Sequence, residues 1–305
     1  MSKPSENELA DALRVLERHP DFRLLRRLGS ETGLSGDVGA AAQRAVIVDT
    51  ETTGTDLASD QIIELGMVQF EYNPESGAIG RILDVYDGFE DPGMPIPPAA
   101  TQIHKITDAM VAGKRLDEGR VNELLREARL VIAHNAAFDR PLLERRMPIF
   151  ATLPWGCSYA QIPWAAEGIQ GSKLEYLAMH CGFFYDGHRS EIDCRALLEV
   201  LRQPLPRSGV TAFAALLGNS RQARYKLWAT GSAIETKDIL KARGYRWDGE
   251  RRCWHRTVSQ DAAQDEADWL KMQVFGGRSR EIEVEVFDGL TNFSTRAGRR
   301  VSRRL

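Results

Sequence analysis

Asp49 and Glu51 stand two residues apart where an apolar run, Ala-Val-Ile-Val (45–48), gives out. On an extended strand, side chains two apart face the same way, so both carboxylates can point into the crevice beyond the strand end. Acids placed there repel unless they share a cation, which is one reading; the other is that Asp and Thr-Gly form the turn that follows a strand. A second apolar run ends in His-Asn-Ala-Ala-Phe-Asp (134–139), where Asp139 either joins the acidic group or caps the helix that follows. In His-Arg-Ser-Glu-Ile-Asp (188–193), His188 precedes Asp193 by five residues at another helix entry, a pattern that a solvated polar surface also produces. If these groups converge, they make a carboxylate cluster suited to holding a divalent cation. Hard, oxygen-only ligands suit Mg²⁺ or Mn²⁺ rather than zinc, and an imidazole titrating near neutrality can take the proton from water.

The order of the motifs is informative beyond any one of them. Asp-Thr-Glu-Thr-Thr-Gly (49–54), Ile-His-Lys-Ile-Thr (103–107), the segment around Asp139 and the segment from His188 to Asp193 follow one another over residues 44–203. In this the chain resembles the DnaQ-like DEDDh 3′–5′ exonucleases of the ribonuclease-H-like superfamily. The resemblance implies an α/β fold with a central mixed sheet flanked by helices, and removal of nucleotides from the 3′ end of DNA in proofreading or repair. It implies that Asp49, Glu51, Asp139 and Asp193 hold two Mg²⁺ or Mn²⁺ ions and that His188 is the general base. Thr52 and His104 stand where the family holds the terminal nucleotide, although Thr52 could instead finish a turn and the segment after His104 could be a helix entry capped by Thr107. Ser190 and Lys105 stand where relatives often carry Ala and Gly; Lys105 adds positive charge near the nucleotide. The alternatives are an exoribonuclease, since metal ligands do not discriminate the sugar, or a non-catalytic protein that binds nucleic acid or tethers a polymerase. A DNA polymerase is the partner such a family suggests.

The elements that must position these residues can be read from periodicity. Residues 6–28 read as two helices split at His19-Pro20, and residues 29–43, rich in Gly, Ser and Ala, as a linker. Segments 45–54, 62–72 and 80–90 read as a strand meander, with helices near 99–112 and 117–128, a buried strand at 129–135, and helices at 138–146, 173–181 and 189–202. Strands first and alternating helices later indicate an α/β exonuclease domain over 44–203. Residues 204–220 read as a linker helix, 221–290 as a small α+β accessory domain with a hairpin turning at Asp248-Gly249, and 291–305 as a mobile basic tail. The two units are expected to be separable after Gly218.

Composition bounds the partners. The 305-residue chain has a net charge of −3. Residues 221–305 hold 18 Lys and Arg against 12 Asp and Glu, whereas residues 1–220 hold 22 against 31. An acidic body and a basic C-terminal unit fit a carboxylate site beside a surface for polyanions. In that unit Arg243, Arg246, Arg251, Arg252 and Arg256 interleave with Tyr245, Trp247, Trp254 and His255, a composition suited either to nucleic acid or to the packed face of a hairpin. Cys157, Cys181, Cys194 and Cys253 make no CxxC pair, so reduced thiols are expected and structural zinc is not. No run approaches the roughly 18 apolar residues of a membrane span, and the first residues lack a secretory leader pattern. A cytoplasmic protein is expected.

Overall fold

The computed structural model describes residues 5–29, 36 and 38–305. Part of the expected linker, residues 30–35 and 37, lies outside the described residues. Helix α1 (Glu6–Arg18) opens with Ser5 and Glu8 capping each other's backbone amides and ends at His19, before Pro20. The second helix expected before residue 28 does not form. Arg26 and Arg27 make a short strand, β1, paired in parallel with Phe183 and Phe184, so tertiary pairing overrides the local apolar spacing.

The first large sheet contains β2 (Gln43–Thr52), β3 (Ile62–Tyr72) and β4 (Ile79–Phe89), the antiparallel meander anticipated from sequence. Helices α2 (Pro98–His104), α3 (Asp108–Val111) and α4 (Glu118–Arg126) lead to β5 (Ala128–Ala133), which pairs in parallel with β2. After α5 (Ala136–Arg146), the three-residue β6 (Trp155–Cys157) extends the sheet, giving the order β4-β3-β2-β5-β6. Short α6 (Ser158–Gln161), α7 (Leu174–His180) and β7 (Phe183–Phe184) precede α8 (Ser190–Arg202) and α9 (Ala212–Ser220).

The unbroken apolar character of β2 follows from burial on both faces. Ala45 and Ile47 enter a core with Val68, Phe70 and the α8 residues Leu197 and Leu201. Val46 and Val48 enter the opposite core with Met67, Leu124 of α4 and Leu142 of α5. This is the mixed sheet flanked by helices that the family resemblance implies. Gly66 of β3 is required by the contact with α8: a Cβ there would lie 2.3 Å from the Ser190 carbonyl carbon. Any side chain would push the first turn of α8 away from the sheet.

A second sheet has the order β12-β11-β8-β10-β9, formed by β8 (Arg224–Trp228), β9 (Arg246–Asp248), β10 (Cys253–Ser259), β11 (Glu281–Phe287) and β12 (Arg299–Arg304). Helix α10 (Lys237–Arg243) and helix α11 (Ala263–Trp269) enclose a core that includes Leu227, Leu240, Tyr245, Leu270 and Val284. Residues 299–304 are therefore a strand and not part of a mobile tail. Val301 pairs with Val284, and Arg300 and Arg304 stand opposite Glu285 and Glu281, so apolar contact and cross-strand charge hold the arginines in register.

This module is not loosely tethered. Arg140 of α5, fully buried, pairs with Glu144 at 2.7 Å and donates to the backbone carbonyls of Gly289, Leu290 and Asn292 from the segment between β11 and β12. The Trp155 amide donates to the Gly289 carbonyl at 2.8 Å. This contact bears on the expected separability after Gly218, since removing the module would take three carbonyl acceptors from a buried guanidinium and leave it Glu144 alone. No helix among the described residues is long and apolar enough to cross a membrane.

Candidate active site

The last residues of β2 divide between the two layers by strand alternation. Asp49 and Glu51 share parity with Ile47 and face α8, whereas Thr50 faces the layer of α5. Close approach of α8 at Gly66 brings its first turn, and with it Asp193, over the same strand end. Ligand oxygens of Asp49, Glu51 and Asp193 lie within 4.8 Å of one another.

Asp139 is held differently. It is 3% exposed, and its Oδ1 accepts from the Thr50 amide at 3.1 Å and the Thr50 hydroxyl at 2.8 Å. It lies outside the three-carboxylate group while remaining close enough to raise the pKa of Asp49 and Glu51. The alternative that Asp139 caps a helix does not hold, since Asn135 occupies the cap position of α5 in a left-handed conformation.

The electrostatics are those of a site short of positive charge. Burial, and then repulsion from Asp193, Asp139, Glu51 and Glu64, pushes Asp49 well above the usual carboxylate range. Burial followed by Asp193 and Glu64 raises Glu51 to about 8. Burial raises Asp139 to about 7 and Asp193 to about 6, the latter held back by hydrogen bonds from Tyr185 and the Arg189 amide. A hard, all-oxygen donor set that cannot ionise fully on its own fits a divalent cation, which would lower each of these values.

His188 adopts φ 66°, a left-handed conformation uncommon for a residue with a side chain. Its half-exposed ring puts Nε2 4.0 Å from Glu175 Oε1, and its charge lowers the pKa of Asp193. Thr52 is buried, with its hydroxyl donating to the Gly54 carbonyl at 2.6 Å, so the turn role weighed for it is present. His104 is buried: Nδ1 accepts from the Ile106 amide at 3.0 Å, while Nε2 has no hydrogen-bond partner within 3.5 Å among the described residues. Burial lowers its pKa, and the Glu64 and His188 charges act on it, which places it beside the acidic group. Thr107 precedes α3 but makes no side-chain cap. Lys105 takes φ 62°, the conformation for which a Gly is suited.

Sequence reading missed Glu64 and Tyr185, and its solvated-surface alternative for 188–193 left Arg189 without a partner that the structure supplies. Glu64, opposite Glu51 on β3, is fully buried; its Oε2 accepts from the Ser190 amide at 3.0 Å and its Oε1 binds Arg189. The Tyr185 hydroxyl donates to Asp193 Oδ1 at 3.1 Å, and the Arg189 amide donates to Asp193 Oδ2 at the same distance. An acid inside the apolar run Ile-Ile-Glu-Leu-Gly (62–66) was the one available signal.

The family described as Exonuclease (RNase_T) matches residues 46–201. A DNA polymerase III subunit epsilon from Treponema pallidum is 30% identical over 161 residues, covering 50% of this chain and 72% of that protein. A PolC-type DNA polymerase III from Clostridium perfringens is 28% identical over 187 residues, covering 57% of this chain. An epsilon-like protein from Rhodobacter capsulatus is 35% identical over 129 residues, covering 41%. The matched part spans only 12% of the Clostridium protein and 17% of the Rhodobacter protein. Among solved structures, Escherichia coli exonuclease I with a dA16 oligonucleotide shares the fold at 13% identity and a TM-score of 0.50, covering 75% of this chain and 68% of that one.

Proposed function

The chain belongs to the exonuclease family matched over residues 46–201, and from that premise we propose that it hydrolyses nucleotides from the 3′ end of DNA at a centre formed by Asp49, Glu51, Asp139, His188 and Asp193. The observation that carries the reading is the convergence of Asp49, Glu51 and Asp193 within 4.8 Å, beside His188. The family and its acidic cluster imply dependence on divalent metal. The finer reading is two Mg²⁺ or Mn²⁺ ions held by Asp49, Glu51, Asp139 and Asp193. Bound there, they would polarise the scissile phosphate and stabilise charge on the attacking and leaving oxygens.

The protein's own groups supply the rest. His188 accepts the proton of the attacking water, and its half-exposed ring gives that proton a route to solvent. Tyr185 and the Arg189 amide fix both oxygens of Asp193, and Thr50 fixes one oxygen of Asp139, so the acids are oriented before substrate arrives. His104, whose buried Nε2 has no hydrogen-bond partner within 3.5 Å among the described residues, and Thr52 are assigned to the terminal nucleotide. The names of the relatives, DNA polymerase III subunits, support DNA over RNA and a DNA polymerase as partner in a cytoplasmic setting.

The test uses 5′-labelled and 3′-labelled single strands, duplexes and RNA with Mg²⁺, Mn²⁺ or chelator. Stepwise shortening of the 5′-labelled DNA, with immediate loss of a 3′ label and release of 5′-mononucleotides, is expected. Internal cuts, faster loss of RNA, or activity undiminished by chelator would overturn the respective parts.

A further inference from the structure

Two neighbouring depressions on the C-terminal module are both lined by Gly231 and Ala233. One, of about 340 Å³, is lined by Ile234, Lys237, Trp247, Arg252 and Trp254; the other, of about 530 Å³, by Phe275, Arg278 and Arg280. Neither wall contains a carboxylate. The first holds apolar surface that the module's own core does not use: Trp247 is 52% exposed and set edge-on to Trp254 at 5.5 Å, and Ile234 is 78% exposed.

Of the arginines singled out in the sequence, Arg246 and Arg252 are exposed, while the other three are engaged within the module. Arg243 and Arg256 share the buried Glu266, and Arg251 pairs with Glu283 while lying over the Trp228 ring. Tyr245 is core. These residues are committed within the module. Lys237, Arg252, Arg278 and Arg280 are exposed and have no acidic partner within 4.0 Å among the described residues. Arg280 leans on the Phe275 ring at 5.2 Å.

We propose that this groove seats a single-stranded segment of nucleic acid, with a base against Trp247 and phosphates near Lys237, Arg252, Arg278 and Arg280. The occupant must supply a flat apolar face and repeated negative charge together. An acidic peptide supplies a flat face only where it carries an aromatic side chain, and a duplex keeps its base faces stacked internally, whereas a single strand offers face and charge at every residue. The proposal rests on the chain being an exonuclease that acts on nucleic acid, and not on the direction or sugar assigned above.

The test measures binding of fluorescein-labelled oligothymidylate to the full chain in chelator, beside hydrolysis of thymidine 5′-(p-nitrophenyl phosphate) with Mg²⁺. Trp247→Ala is expected to weaken binding by about five-fold or more, with Trp247→Phe retaining most of it. Lys237→Gln combined with Arg278→Gln is expected to weaken binding and to flatten its salt dependence by about 0.7 per lost contact. Both residues are exposed, so this pair decides the matter if Trp247→Ala lowers thermal stability. Ester hydrolysis should be unchanged in every groove variant. Wild-type affinity and salt slope in the Lys237→Gln/Arg278→Gln chain overturn the groove while leaving the nuclease intact. Absence of hydrolysis by the wild type would instead overturn the catalytic reading. Competition by polyglutamate equal to that by unlabelled oligothymidylate would replace the nucleic acid with an acidic protein partner.

Discussion

Glu64 and Arg189 are joined through Oε1, which meets Arg189 Nε at 2.9 Å and Nη2 at 2.7 Å, and Arg189 is the residue that follows His188. The free Oε2 holds the Ser190 amide. One buried carboxylate thus fixes the backbone on which His188 takes its left-handed turn and from which Asp193 is hydrogen-bonded. Replacing Glu64 with Ala should lower kcat by about 10–100-fold, as loss of an outer partner does at metal sites. Glu64→Gln should fall between. Wild-type kcat in the Ala variant would remove Glu64 from the machinery.

Asp49→Asn and Asp193→Asn should abolish nuclease activity. Because each removes one charge from a mutually repelling set, the metal-free variants should melt at the same temperature as the parent or higher. A melting temperature well below the parent in chelator would show that these carboxylates stabilise the fold on their own.

The same repulsion gives a pH dependence with a definite sign. Asp193, Asp139 and Glu51 have folded-state values of about 6, 7 and 8, above the ordinary range. Between the ordinary carboxylate values and these, the folded protein binds more protons than the unfolded one, so metal-free stability falls as pH rises through that window. Added Mg²⁺ should raise the melting temperature more near pH 8 than near pH 5. Equal increments at both would count against metal binding to these acids.

His134 carries a dependence of the opposite sign. Its ring nitrogens contact the Ser158 hydroxyl and the Ser172 carbonyl, each at 2.8 Å, and burial lowers its pKa to about 4. From the unfolded value near 6.5 down to about 4 the unfolded chain takes up a proton that the folded chain does not, so stability is lost as pH falls through that interval. His134→Gln should flatten the loss, measured as urea midpoints across the interval. An unchanged slope would assign the acid sensitivity elsewhere.

Arg140→Met should destabilise the whole chain by about 3–5 kcal/mol, the usual effect of removing one partner from a buried pair. Glu144 would lose its buried partner and keep Arg296 and Ser294, and three carbonyls would lose a donor. Limited proteolysis should then cut between the two sheets. Parental denaturation and cleavage patterns would mean that the module docks by other contacts.

The sequence displayed what local spacing controls. Asp49 and Glu51 share a face because strands alternate, and the two-sided burial of β2 is written in Ala-Val-Ile-Val. Glu64, Tyr185 and Arg189 stayed hidden because their partners are set by the approach of α8 to β3, which Gly66 permits across more than a hundred residues. Strand β6 is too short to show a period, and in β12 the arginines masked an alternation that only the facing glutamates reveal.

The contact between Arg140 and Gly289, Leu290 and Asn292 spans 149 to 152 residues of chain. During synthesis at about 5–20 residues per second, the guanidinium emerges roughly 8–30 s before its acceptors. In that interval the nascent exonuclease half has every strand of its sheet, while the guanidinium on the helix bearing Asp139 has Glu144 as its partner and lacks its three carbonyl acceptors. The packing around the helix bearing Asp139 is thereby completed only once residues 289–292 have been made, and a product that stops short of them lacks those three acceptors.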